Sequence, residues 1–142
     1  MAGPLTTEAI VLRSIRYAEA DRILHLYTPM RGRVSAIAKG VRRSGSRFGG
    51  RLEPFFRLRI GLHEGRSDLL TVTSADTLAP YARLREHGDA LDAAARASDA
   101  VGRLFETGEP HPEVFNLLCA MLVQLNDDPD AASAAGRRLA FR

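Results

Sequence analysis

The spacing of apolar residues changes near Pro80, and this change constrains the fold more than any other feature of the sequence. Before Pro80, short runs that alternate apolar with polar residues are separated by turn residues. After it, apolar residues recur at steps of three and four. A repeat of two is typical of strands and a repeat near 3.6 of helices. The sequence therefore predicts an α+β chain, with a small all-β barrel or sandwich at residues 1–80 and a helical domain at residues 81–142.

Five strands are predicted in the first part, at residues 7–17, 23–28, 33–39, 56–63 and 69–73. The fourth has the clearest alternation. Its inward face is expected to hold Phe56, Leu58, Ile60 and Leu62, and its outward face Arg57, Arg59 and His63. Because a half-buried strand points successive side chains to opposite faces, this pattern fixes which side meets the core. The glycines and serines of residues 40–50 predict a loop between the third and fourth strands.

The second part predicts helices. An apolar stripe from Leu84 to Phe105 indicates an amphipathic helix that ends at Gly108. Pro112 and Glu113 suit the first turn of a second helix, which residues 126–129 end. A third helix is expected from Asp130 to Arg142, and its apolar pattern stops where the sequence stops. The helical domain is therefore predicted to be incomplete at its C-terminal side.

Charge is distributed unevenly along the chain. The net charge is only +3, with 20 basic against 17 acidic side chains. Residues 1–80 carry 13 basic and 7 acidic side chains, whereas residues 81–142 carry 7 basic and 10 acidic ones. The interval between Asp21 and Glu53 holds no acidic residue. The positive charge is therefore concentrated on the predicted barrel.

The loop between the third and fourth strands is the candidate site. Its cations are Lys39, Arg42, Arg43, Arg47 and Arg51, with Phe48 among them, and Arg31 and Arg33 precede them. Phosphates attract cations and unstacked bases need a flat aromatic face, so this composition favours nucleic-acid binding. We expect Phe48 to be the stacking residue. A five-stranded barrel with a basic groove is the design of the oligonucleotide-binding (OB) fold.

The sequence offers no pattern for catalysis or for metal binding. The glycines after residue 40 lack the Lys and Ser/Thr of a phosphate-binding loop, and the four histidines are scattered. The single cysteine, Cys119, excludes an intramolecular disulfide and a multi-cysteine zinc site within these residues. Without a catalytic pattern, the chain is expected not to be an enzyme. Without a signal peptide or a long apolar run, it is expected to be cytoplasmic and to make no membrane contact.

Four segments together resemble a known family. They are YAEADRIL at 17–24, TPMRGRV at 28–34, AKGVRR at 38–43 and SRFGGRLEPF at 46–55. In this order and spacing they are similar to the signature segments of the bacterial recombination mediator family RecO. The resemblance implies an N-terminal OB-fold, a helical domain and a non-enzymatic role in recombinational DNA repair. It places Lys39, Arg42, Arg43, Arg47 and Arg51 at matching positions for DNA contacts.

The resemblance also implies partners. Family members bind single- and double-stranded DNA, anneal complementary strands, engage RecR and single-stranded-DNA-binding protein, and help to load RecA; association with the nucleoid follows. Many members carry a four-cysteine zinc site in a continuation that this sequence lacks, so no cofactor is expected here. Two other functions stay open: a protein-interaction adaptor that recognises an acidic tail, and an RNA-binding OB-fold of translation.

Overall fold

The computed structural model describes residues 3–42, 48, 50–105 and 108–130. The strands are β1 (Gly3–Tyr17), β2 (Asp21–Thr28), β3 (Gly32–Ala38), β4 (Arg57–Glu64) and β5 (Leu70–Ala79). A short 3-10 turn at Leu84–Glu86 leads to the helices α1 (Gly88–Leu104) and α2 (Pro112–Asp127). The predicted α+β class is confirmed. The third predicted helix begins at Asp130 and otherwise lies outside the described residues.

The strands close into a barrel in the order β1-β2-β3-β5-β4. The long strand β1 makes closure possible, because it pairs with β4 through residues 3–10 and with β2 through residues 10–17. β3 and β5 pair in parallel, at Ala36 with Leu70 and at Ile37 with Thr71. The other neighbours are antiparallel. This closed five-stranded barrel confirms the OB-fold that the sequence predicts.

The alternation predicted for the fourth strand determines which of its side chains lie in the barrel core. Leu58, Ile60 and Leu62 are buried, whereas Arg59 and His63 are exposed. The placement of Phe56 with the inward residues is only partly right, because β4 begins one residue later. Phe56 is half-buried beside the barrel core, and the Arg85 guanidinium lies 4.4 Å from the centre of its ring.

The helices pack on the outside of the barrel around a second apolar cluster. Ile10 of β1 and Tyr27 of β2 contribute the barrel side, and Phe115, Leu118 and Leu122 contribute α2. At the edge of this cluster, Arg57 Nη2 lies 2.8 Å from Glu8 Oε1 and the guanidinium lies 5.8 Å from the Phe115 ring centre. The two parts of the chain therefore share a core, and the domain boundary at residue 80 stays a prediction.

Candidate nucleic-acid interface

The turn between β1 and β2 brings two arginines together at one end of the barrel. Arg16 and Arg22 are cross-strand partners, next to the pair Tyr17 and Asp21. Arg22 Nη1 donates a hydrogen bond to Ser14 Oγ at 3.0 Å. Like charges directly opposite each other destabilise a sheet by roughly 0.2–1 kcal/mol. A bound anion would remove this penalty, so the pair suits a phosphate.

Arg42 anchors the segment after β3 to the same turn. Its Nη2 donates to the carbonyl oxygens of Ala18 at 2.8 Å and Glu19 at 2.6 Å, and its backbone N–H donates to the carbonyl of Ala20 at 2.9 Å. A neighbouring bond, from the Gly40 N–H to an Asp21 carboxylate oxygen at 2.7 Å, supports the same contact. Arg42 is therefore a structural clamp at the base of the predicted DNA-binding loop.

These segments enclose a groove of about 420 Å³, which we call the arginine groove. The described residues that line it are Arg16, Arg22, Val41, Arg42, Leu52 and Glu53. Three arginines and one glutamate thus line the groove, together with the apolar side chains of Val41 and Leu52. Two more cations are exposed close by in the sequence: Lys39 lies two residues before Val41, and Arg51 lies directly before Leu52. This end of the barrel offers an anionic polymer both cations and a concave surface.

Phe48 does not take the role predicted for it. Its side chain is 3% exposed and belongs to the barrel core, together with Leu52 and Leu58. Its carbonyl accepts a hydrogen bond from the Arg51 N–H at 3.1 Å. Phe48 is the one apolar side chain between Val41 and Leu52. A buried ring has no face free for a base, so this placement corrects the expectation of base stacking.

Arg31 and Arg33 lie away from the arginine groove. Arg31 is in the turn before β3 and forms an ion pair with Glu64 at 3.0 Å, a hydrogen bond that lowers the pKa of the Glu64 carboxyl. Arg33 Nη1 donates to the Gly102 carbonyl of α1 at 3.1 Å. Since a strand rises about 3.3 Å per residue, the eight steps from Arg31 to Lys39 span roughly 26 Å. The predicted cations that the structure describes thus fall into two groups.

Sequence reasoning placed Lys39, Arg42 and Arg51 at this interface but missed Arg16 and Arg22. The predicted hairpin could have revealed these two arginines, because strands that pair across the turn at residues 18–20 bring positions 16 and 22 opposite each other. Arg43 and Arg47, the other two predicted loop cations, lie outside the described residues.

Within 3–42, 48, 50–105 and 108–130, no group of three or more His, Cys, Asp and Glu side chains is arranged to hold a metal ion. Cys119 is buried in α2, and burial raises the pKa of its thiol. A thiol held neutral among apolar side chains does not suit zinc, which binds thiolates. In the same ranges, no helix is long and apolar enough to cross a membrane.

The barrel topology and the basic groove define the class of this protein as an OB-fold domain with arginines gathered at one end of the barrel. The family described as "Recombination protein O N terminal" matches residues 1–81 of this chain. The chain therefore belongs to the RecO family, and the resemblance seen in the four sequence segments is confirmed.

Relatives named DNA repair protein RecO cover most of the chain. The one from Rubrobacter xylanophilus is 49% identical over 112 residues, which are 79% of this chain and 44% of the relative. The one from Geobacter sulfurreducens is 40% identical over 137 residues, 95% of this chain and 54% of the relative. The one from a Nocardioides species is 49% identical over 113 residues, 78% and 46% respectively. The chain spans about half the length of these curated relatives.

Proposed function

We propose that this chain is the DNA-binding part of a recombination mediator and that the arginine groove is its DNA contact. The observation that carries the proposal is the convergence of Arg16, Arg22 and Arg42 at one end of an OB barrel. Family membership supports it, because the relatives are named DNA repair proteins. Lys39 and Arg51 are exposed near this end of the barrel, and Arg43 and Arg47 add positive charge to the same stretch of sequence.

The chemistry of the groove suits sequence-independent binding to single- and double-stranded DNA. Guanidinium groups pair with phosphate oxygens through two parallel hydrogen bonds, which position a strand without reading its bases. Strand annealing follows from the same surface. Two phosphate backbones repel each other, and a cationic groove lowers this repulsion while their base edges stay accessible.

The wider role proposed for the chain is non-enzymatic. DNA held in this way is available to partners, and we propose that these are RecR and single-stranded-DNA-binding protein, with RecA loaded as a consequence. This role needs no cofactor in this chain. It places the protein with the bacterial chromosome in the cytoplasm.

A double charge reversal tests the groove without disturbing the clamp. Arg16 and Lys39 are exposed, whereas Arg42 is tied to backbone carbonyls. We expect Arg16→Glu with Lys39→Glu to weaken binding of a labelled single-stranded oligonucleotide by at least about tenfold, since phosphate contacts dominate such affinities. Fluorescence anisotropy at fixed salt measures this.

The matched control reverses the same number of charges elsewhere. Arg66 in the turn after β4 and Arg96 on α1 are both exposed. The variant Arg66→Glu with Arg96→Glu is expected to bind within about twofold of the parent chain. Equal losses in the two variants would show a diffuse charge effect and contradict the groove. Tighter binding of a ribo-oligonucleotide, or binding only of an acidic peptide, would favour the RNA-binding or adaptor function instead.

A further inference from the structure

A second cavity, of about 480 Å³, lies between the outer face of the barrel and α1. Arg13, His25 and Arg33 line it from β1, β2 and β3, and Ser98, Asp99 and Arg103 line it from α1. Arg13 and His25 are cross-strand partners, so they enter it side by side. None of these residues lines the arginine groove.

The cavity carries excess positive charge. Its three guanidinium groups face one carboxylate, and that carboxylate, Asp99, is already paired with Arg103 at 3.1 Å. Burial, and then the charges of Arg33 and Arg13, lower the pKa of His25. The imidazole is therefore neutral at neutral pH and retains an N–H donor. An anion in the cavity would reduce the repulsion between these cations.

Ser98 supplies an independent sign of a ligand. It is 2% exposed, and its Oγ has no hydrogen-bond partner among the described residues. A buried hydroxyl without a partner is unfavourable, because folding removes the water that would otherwise bond to it. Ser98 lines the cavity but its Oγ is covered by neighbouring atoms, so a phosphate oxygen accepts this hydrogen bond once the side chains around the Oγ shift.

One wall of the cavity is apolar. Leu12 of β1 and Phe55, which precedes β4, line it together with the cations. Phe55 has a φ of 70° and belongs to the buried cluster shared by barrel and helices, so its position is fixed by packing. A ligand with a charged end and a flat apolar end would use both walls, and the volume lies within the roughly 300–1,000 Å³ of small-molecule sites.

We propose that this cavity binds the phosphate group of a nucleotide, with Arg13, Arg33 and Ser98 holding the phosphate and Phe55 bordering the base or sugar. The nucleotide is either free or the terminal one of a DNA strand. The proposal does not depend on the function assigned to the arginine groove, because the two sites share no residue and a mononucleotide tests this one alone.

Calorimetric titration of the chain with deoxyadenosine 5′-monophosphate, inorganic phosphate and deoxyadenosine tests the chemistry. We expect the two phosphates to bind, the nucleotide more tightly, and the unphosphorylated nucleoside not to bind. Arg13→Met is expected to weaken the nucleotide about tenfold, the effect of about 1.4 kcal/mol of lost interaction. Ser98→Ala should weaken it by a smaller factor, and Arg66→Met, which removes an exposed charge elsewhere, should leave it unchanged. Arg33 is avoided because it also bonds the Gly102 carbonyl.

The His25 ring gives a second readout. Phosphate placed among Arg13, Arg33, Asp99 and Arg103 adds negative charge, so the pKa of His25 should rise on binding, as followed by NMR of its ring protons against pH.

Oligonucleotides with a 5′-phosphate and with a 5′-hydroxyl separate the two sources of the phosphate, a free nucleotide and the end of a DNA strand. Preference for the phosphorylated strand assigns the strand end, and equal affinity for the two strands assigns the free nucleotide. The proposal is overturned if the mononucleotide does not bind. It is also overturned if the mononucleotide binds equally well to the Arg13→Met and Ser98→Ala variants and leaves the pKa of His25 unchanged.

Discussion

Arg42 illustrates how a cation near a binding surface can serve the fold. Its guanidinium donates to two backbone carbonyls of the β1–β2 turn, while its own backbone N–H bonds a third. The turn leaves these carbonyls without a ladder partner, and an arginine satisfies several acceptors at once because its donors are arranged in a planar fork. The side chain thereby fixes the end of β3 against the hairpin that carries Arg16 and Arg22.

We predict that Arg42→Met lowers the free energy of unfolding by about 1–3 kcal/mol, because it removes charge-assisted bonds and leaves carbonyls to find other partners. Lys39→Met removes the same charge three residues earlier from an exposed position. It is expected to change stability by less than about 0.5 kcal/mol. Urea denaturation followed by circular dichroism compares the two. Equal stabilities for both variants would show that the clamp contributes nothing.

Single residues also mark the limit of sequence reasoning. Lys39 is exposed as a binding cation should be, whereas Phe48 is buried although it stands among glycines, serines and arginines. Local composition describes the loop correctly as polar. It does not show that Phe48 joins the barrel core with Leu52 and Leu58, because that contact arises only when distant strands meet.

At the scale of elements, the sequence predicts periodic segments well and their ends less well. On α2 the sequence predicts an apolar stripe made of Val114, Leu117, Leu118, Met121, Leu122 and Leu125. Leu118, Leu122 and Leu125 are buried as expected, whereas Leu117 is 70% exposed, so its place in the stripe is wrong. The helix predicted to begin at Leu84 instead divides into the 3-10 turn and α1, because His87 is extended at φ −124° and ψ 113°. The side chain of Asn126, at the end of α2, accepts the Leu84 N–H at 3.1 Å. This tertiary contact holds the first residue of the 3-10 turn, and no local sequence signal predicts it.

The packing of α2 on the barrel predicts unequal effects for two leucines on the same helix. Leu122 is fully buried in the cluster shared with the barrel, whereas Leu117 is 70% exposed. Leu122→Ala is expected to lower the free energy of unfolding by about 2–5 kcal/mol through lost burial and a cavity. Leu117→Ala should change it by less than about 0.5 kcal/mol. Thermal and urea unfolding test this, and similar losses at the two sites would mean that α2 is not docked as described.

At the scale of the whole molecule, barrel closure decides which charges meet. Arg31 and Lys39 belong to the same basic stretch of sequence, yet they flank β3 on its two sides and so lie at opposite ends of that strand. Arg16 and Arg22 become neighbours only through the hairpin. The charge count of the sequence therefore predicts that the barrel is basic, but only the register and closure of the strands show that its cations form separate surfaces.

This separation predicts how DNA binding should depend on salt. If about five phosphates are neutralised at the arginine groove and its loop, log K should fall against log salt with a slope of roughly −3 to −4 for a single strand.

Each cation removed from the contact should then make the slope shallower by about 0.7, because one fewer counterion site is released. Lys39→Met should show this change, whereas Arg66→Met should keep the slope of the parent chain. Affinities of a labelled oligonucleotide over a series of salt concentrations give all three slopes. A slope near −1 for the parent chain would mean that few phosphates are contacted. If Arg66→Met changed the slope as much as Lys39→Met does, DNA would contact the whole surface. Binding over the whole surface is electrostatically unfavourable, because DNA lying on residues 81–142 would meet more carboxylates than cations.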